Sequence, residues 1–288
     1  MAIKSVLVPL DEGPGSFHVL ETAFVVARRF GAHISCVHAL RNAESSEPYV
    51  FANLTGTLRD AVVSESARAA QLSADTIRDN FVAACNSTGV AIRQPENDGE
   101  VSASFEVVEG RPVDVLVECA RLSDVTAIAS PQLDENTIRQ TPIGETLESI
   151  LLGSGRPVLI VPQEWQARPC QHAAIGWNDT VQSARALAVT IPWLRTMETV
   201  TVLVSKARAA GTPRVIQYLR THGISADIKT LDRGELTAGE AILQRCDDLG
   251  ADFLVVGGYS RARSKQLLFG GVTRHLMKNT DVITVMVH

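Results

Sequence analysis

The stretch from Gly257 to Thr273 holds the residue types that bind phosphate. It opens with Gly257 and Gly258 and runs through Ser260, Arg261, Arg263 and Lys265. It closes on Gly270, Gly271, Val272 and Thr273 at the head of a helix-forming segment. Glycines let a backbone come close to a ligand, and the unpaired N–H groups of a helix start attract anions. The guanidinium and ammonium groups add positive charge beside them. The same residues would also suit a Gly-rich turn with a solvated basic face. No G-x-x-x-x-G-K-[ST] occurs anywhere in the chain, so an ordinary P-loop is excluded.

The other constellations are poorer in chemistry. Gly13-Pro14-Gly15-Ser16-Phe17-His18 starts like a dinucleotide fingerprint but has His18 where the third glycine belongs, which leaves a turn before a helix. His33, Cys36 and His38 lie on one strand, where His33 faces away from the other two, so three metal ligands would not converge. Gly153-Ser154-Gly155 lacks the spacing of a nucleophile elbow. Trp177 and Trp193 are expected to pack in cores or between domains rather than to stack on bases. No general base, nucleophile or metal-ligand cluster accompanies the Gly-rich loop, so the sequence points to binding and not to catalysis.

Totals narrow the partners. A formal net charge of -5 repels nucleic acid and anionic lipid in bulk while leaving room for a local anion site. Five cysteines, widely spaced and without a C-x-x-C pair, predict free thiols in a reducing compartment, and hence a cytoplasmic protein. Asp11 and Glu12 cut short the only apolar run at the N-terminus, and no stretch reaches membrane-spanning length.

The elements that must carry the loop alternate. VLVP, ISCVHAL, FEVV, VTAIAS and PVLIVP read as strands, with helical spacing between them, which predicts α/β folding around a doubly wound parallel sheet. After the polar segment QEWQARPCQ the order begins again with AAIGWN. Asp11, Ser16 and Leu20 match Asn178, Ser183 and Leu187; VTAIAS matches FLVVGG; Gly144 heads a helix as Gly270 does; PVLIVP matches ITVMVH. The reading is two tandem five-stranded domains, residues 1–163 and 170–288, with a loop over 41–56 that the second copy lacks. Thr212 is expected to cap a helix that Gly223 terminates. In such sheets ligands sit beyond the carboxyl ends of the strands, where the winding reverses, so the loops after strands one and four of each half should form the sites.

At these positions the chain resembles the universal stress protein family. Gly257, Ser260, Gly270 and Gly271 stand at the four fixed places of its G-x-x-G-x9-G-[ST] signature, VLVPLDEGPGS is similar to its first strand with the acidic adenine-contacting position at Asp11, and TDVITVMV is similar to its last strand. The run Gly270 to Arg274 resembles the second domain of tandem bacterial members. The sequence departs from the pattern at Ser260, where the family prefers glycine, at Gly271, where ATP-binding members carry a hydroxyl, and at Asn178, which replaces the aspartate of the second copy.

The resemblance implies a non-enzymatic stress-response module that binds ATP or a related adenine nucleotide, with Mg where a triphosphate is bound. The expected site is in the second half, at Asn178, Gly257, Gly258, Ser260, Arg261, Arg263, Gly270, Gly271, Val272 and Thr273. In the first half Asp11 and Gly144 mark a degenerate site, because the loop Ala129-Ser130-Pro131-Gln132 has no glycine and Pro131 lacks an N–H. Asp11 is there expected to form a turn or cap a helix. The two halves are expected to pair through their last strands as an intrachain pseudo-dimer, and the chain to form homodimers. The alternative is an interaction protein of the same family in which both sites have decayed.

Overall fold

The computed structural model describes residues 3–40, 56–96, 99–131, 142–258 and 271–288. Strand β1 (Ser5–Pro9) leads through helix α1 (Pro14–Phe30) to β2 (His33–Leu40). Then come α2 (Gly56–Thr88), the short β3 (Ala91–Ile92), β4 (Ser102–Glu109), α3 (Pro112–Arg121), β5 (Val125–Ala129), α4 (Pro142–Gly153) and β6 (Val158–Val161). The second half runs β7 (His172–Trp177), α5 (Val181–Leu194), β8 (Thr199–Ser205), a 3-10 turn, α6 (Thr212–Thr221), β9 (Asp227–Leu231), α7 (Ala238–Asp248), β10 (Phe253–Gly257), α8 (Gly271–Asn279) and β11 (Ile283–Val287).

All strands among the described residues join one sheet of 11, in the order β3-β4-β2-β1-β5-β6-β11-β10-β7-β8-β9. Every neighbouring pair is parallel except β6 with β11, which run antiparallel with Leu159 opposite Val285. The expected pairing of the last strands is therefore present, and it turns two sheets into one. Counted within each half, and setting β3 aside, the strand order is the same: third, second, first, fourth, fifth. β3 was not expected. It is a two-residue, exposed edge strand, too short to leave a periodic trace in sequence.

Helices cover both faces, and each core crosses the joint between halves. One apolar cluster holds Phe24, Phe81, Leu159, Trp193, Phe253 and Val285, and the other holds Leu7, Ile150, Ile160, Leu254, Leu276 and Met286. Phe30 of α1 meets Trp193 of α5 edge-on at 5.7 Å, and Trp193 lies 6.0 Å from Phe253. Trp193 thus packs the halves together, as expected. Arg29 of α1 reaches across to donate to the carbonyl of Cys170 at 3.3 Å and to that of Thr196.

One staple occurs twice. The Asp124 carboxylate accepts from the N–H groups of Lys4 and Ser5 at 2.7 and 3.0 Å, and Asp252 accepts from those of Gln171 and His172 at 3.0 and 2.9 Å. Each fixes the start of a half's first strand to the start of its fourth, through charge-assisted bonds that are stronger than neutral ones. The expected N-cap at Thr212 is not what forms. The 3-10 turn Lys206–Gly211 precedes α6, Gly211 takes the cap position, and Thr212 is buried inside the first turn. Gly223 does follow the helix, at a φ of 75°.

His33 gives the fold a pH dependence. Its ring lies between the hydroxyls of Ser102 and Ser104 on β4, at 2.8 and 2.9 Å, and burial followed by the charge of Arg93 holds its pKa below the ordinary 6.5. The neutral ring is then the form the fold favours, so this stabilisation is present above pH 6.5 and is lost as pH falls through the lowered folded value. Melting temperatures of wild type and His33→Asn, measured from pH 8 to pH 5, should converge below about pH 6.5. A gap that widened on acidification would overturn this assignment.

Candidate functional site

The winding reverses between β1 and β5 in the first half and between β7 and β10 in the second. At the second reversal, Asn178 follows β7, Gly257 ends β10, Gly258 follows it, and Gly271 opens α8. The fold therefore brings Asn178, Gly257 and Gly258 to one end of adjacent parallel strands. Gly271 and Val272 are exposed in the first turn of α8, while Thr273 is buried. Ser260, Arg261, Arg263, Lys265 and Gly270 lie outside the described residues, as does nearly all of the expected 41–56 loop.

The two loops after the first strands are built alike. In the first half, one Asp11 carboxylate oxygen accepts from the Gly13 N–H at 2.8 Å and from the Ser16 hydroxyl, and the Asp11 N–H donates to Ser16 Oγ at 3.2 Å. In the second half, Asn178 Oδ1 accepts from the Thr180 hydroxyl at 2.6 Å, and Thr180 and Ser183 form a capping box at the start of α5. Asp11 is thus a turn residue, as expected. Asn178 has the same local task, whatever else it touches.

Gly257 has a role that its sequence motif does not reveal. A Cβ there would lie 2.5 Å from the Ser183 nitrogen and 2.6 Å from the Gln182 carbonyl carbon, both backbone atoms of α5. In the first half the same contact is made with the small residues exchanged: Ala129 ends β5, and the helix supplies Gly15, whose added Cβ would meet Ala129 Cβ at 3.1 Å. One of the two elements must lack a side chain for helix and strand to approach. Gly258, by contrast, faces flexible neighbours, with Met286 Cγ at 3.2 Å and a Leu151 methyl at 3.3 Å.

A cavity of about 400 Å³ lies at the first reversal, between the ends of β1, β2 and β5, α2 and the starts of α3 and α4. Sequence reasoning placed Asp11 at this site and weighed His38 only as a metal ligand; Leu10, Ala39, Leu116, Ile128 and Ile143 were not singled out. The signal available was the run of small and apolar residues at strand ends, which also describes a plain core. Gly144 is buried within α4. At the start of the loop after β5 the donors are engaged: the Ser130 N–H donates to the Val161 carbonyl at 2.7 Å, its hydroxyl donates to the Met277 carbonyl of α8, and Pro131 has no N–H; residues 132–141 lie outside the described residues.

The thiols offer no nucleophile. Burial pushes Cys85 up to about 11 and Cys170 and Cys246 up to about 12, and it raises Cys36 and Cys119 as well, so all five stay protonated near neutral pH. Among the described residues no group of His, Cys, Asp or Glu is placed to hold a metal. None of the described helices is long and apolar enough to cross a membrane.

The model of the universal stress protein family matches residues 2–162, more than half of the 288-residue chain. The chain belongs to the universal stress protein family. The matched residues are the first half, whereas the Gly-rich signature lies in the second. Among solved structures, the chain is similar to a universal stress protein from Archaeoglobus fulgidus DSM 4304, at 15% identity and a TM-score of 0.73, with 98% of this chain and 97% of that one covered. It is also similar to a functionally unknown protein from Pseudomonas aeruginosa PAO1, at 13% identity and a TM-score of 0.57, with 99% and 92% covered. At such identities the likeness is one of fold. No curated protein matches the chain.

Proposed function

We propose that this universal stress protein is a cytoplasmic stress-response binding module of two tandem domains, 1–163 and 170–288, that holds one molecule of ATP or a related adenine nucleotide in its second domain. The observation that carries the reading is the open first turn of α8. Beyond its chain neighbours and the backbone of its own helix, no atom of the described residues lies within 4 Å of where a Cβ on Gly271 would sit, and Gly271, Val272 and Arg274 are exposed. Backbone N–H groups at such a helix start, close in sequence to Arg261 and Arg263, suit phosphate. Asn178 stands on the adenine side. A magnesium ion would ride on the phosphates, since the described residues supply no ligand cluster for it. No catalytic residue is assigned.

The first domain is the poorer phosphate site in this reading, because the donors of Ser130 are engaged at the start of its β5 loop and Pro131 has no N–H. Calorimetry with ATP, ADP and AMP should find one site per chain. Gly270→Val should weaken binding at least about tenfold by filling phosphate space, while Gly144→Ala should leave affinity unchanged. Two sites per chain, or loss only in the Gly144 variant, would sink the asymmetric model. A second reading, an interaction protein with decayed sites and a homodimeric habit, is favoured by Gly257, whose glycine is needed for packing with or without a ligand. Absence of binding by any of the three nucleotides would select it.

A further inference from the structure

The two edges of the sheet are finished differently. At one, β3 pairs with β4 through Ala91 and Ile92, and the Arg93 N–H goes on to donate to the Ala103 carbonyl at 3.0 Å. At the other, β9 pairs with β8 on one side and ends the strand order on the other. Successive side chains of a strand point to opposite faces, and those of Asp227 to Thr230 are all exposed, Ile228 at 42%. Beside them on β8, Val200 to Val204 are buried. A strand that offers a row of N–H and C=O groups, with an isoleucine left in water, is a template for another strand.

We infer that a second copy of this chain docks on this edge, β9 against β9 in antiparallel array with Ile228 on the two-fold axis, so that two sheets become one. Symmetry and charge select this occupant. A two-fold axis perpendicular to the sheet sets residues of equal parity opposite each other, so the register is defined by the residue that meets itself. With Ile228 there, Asp227 of each copy faces Lys229 of the other, Ile228 faces Ile228, and Ala226 faces Thr230. An axis at Asp227 or at Lys229 would set like charges directly opposite, which disfavours a pair. A lysine in an edge strand guards it against foreign strands. Two places from an aspartate on the same face, Lys229 repels strangers and admits its own copy.

The surface is separate from the β6–β11 joint and gives the expected homodimer a place and a register. It holds whether or not the second half binds a nucleotide.

Sedimentation equilibrium of the full chain at low ionic strength should show a reversible monomer–dimer equilibrium. Asp227→Lys sets lysine opposite lysine at both symmetry-related pairs, and Lys229→Asp sets aspartate opposite aspartate. Each should weaken dimerisation about tenfold. An equimolar mixture of the two single variants should form a heterodimer, in which both pairs are again opposite in sign. The double variant, Asp227→Lys with Lys229→Asp, should recover the wild-type dissociation constant. Both positions are exposed, so melting temperatures of the single variants under monomeric conditions should match, which separates a lost contact from a damaged fold. A wild type that stays monomeric, single variants that dimerise as the wild type does, no heterodimer on mixing, or a double variant as weak as the singles would each overturn the inference.

Discussion

Replacing Gly257 by valine is expected to destabilise the protein by about 3 kcal/mol or more, at the upper end of what overpacking costs. The added Cβ would lie 2.5 Å from a backbone nitrogen of α5 and 2.6 Å from a backbone carbon, so no rotamer change relieves it and the helix itself must move. Gly257→Ala should already show most of the loss, because the first carbon makes the clash. Gly258→Ala is the control: its neighbours are the flexible ends of Met286 and Leu151, which can shift by a few tenths of an ångström, and its cost should stay near about 1 kcal/mol. Thermal unfolding of the three variants without nucleotide decides the matter. If Gly257→Ala melts like the wild type and only nucleotide binding fails, the glycine serves the ligand and not the packing.

The joint between halves carries the second large effect. Leu159 is fully buried at the centre of β6, opposite Val285 of β11. Truncating such a leucine costs about 2–5 kcal/mol. Leu159→Asp should cost more, since it also buries a charge in an apolar cluster shared by both halves. Residues 1–163 expressed alone should form dimers or aggregates through the uncovered β6 edge. A folded, monomeric first half at tens of micromolar, or a Leu159→Asp protein that melts like the wild type, would show that the antiparallel pair contributes little.

Much of the fold was legible in the sequence because its signals are local and repeated. Alternating apolar strands and helices gave the sheet, and Asp11, Ser16 and Leu20 matched Asn178, Ser183 and Leu187 because the turn into the first helix is built the same way in both halves. Less visible was what depends on a neighbour far away in the chain. Gly257 reads as half of a phosphate motif until α5 is found against it, and the exchange of Ala129 with Gly15 appears only when helix and strand are seen together. Asp124 and Asp252 form a repeated staple that patterning overlooked, since an aspartate before a strand has many local explanations. The first cavity lies where a degenerate site was expected, with Asp11 on it, but its wall was not legible, since Leu10, Ala39 and Ile128 mark core as readily as a pocket wall.

The antiparallel joint also sets a timetable. β6 ends at Val161 and its partner β11 starts at Ile283, about 120 residues later in the chain. At a synthesis rate of about 5–20 residues per second, the first half waits roughly 6–24 s on the ribosome with β6 paired to β5 on one edge and its other apolar edge uncovered. For that interval each nascent chain is a template for its neighbour on the same message, and chains translated close together can pair β6 with β6 before β11 emerges. Slower elongation through the second half lengthens the exposure, so synonymous codon choice there bears on the yield of folded protein.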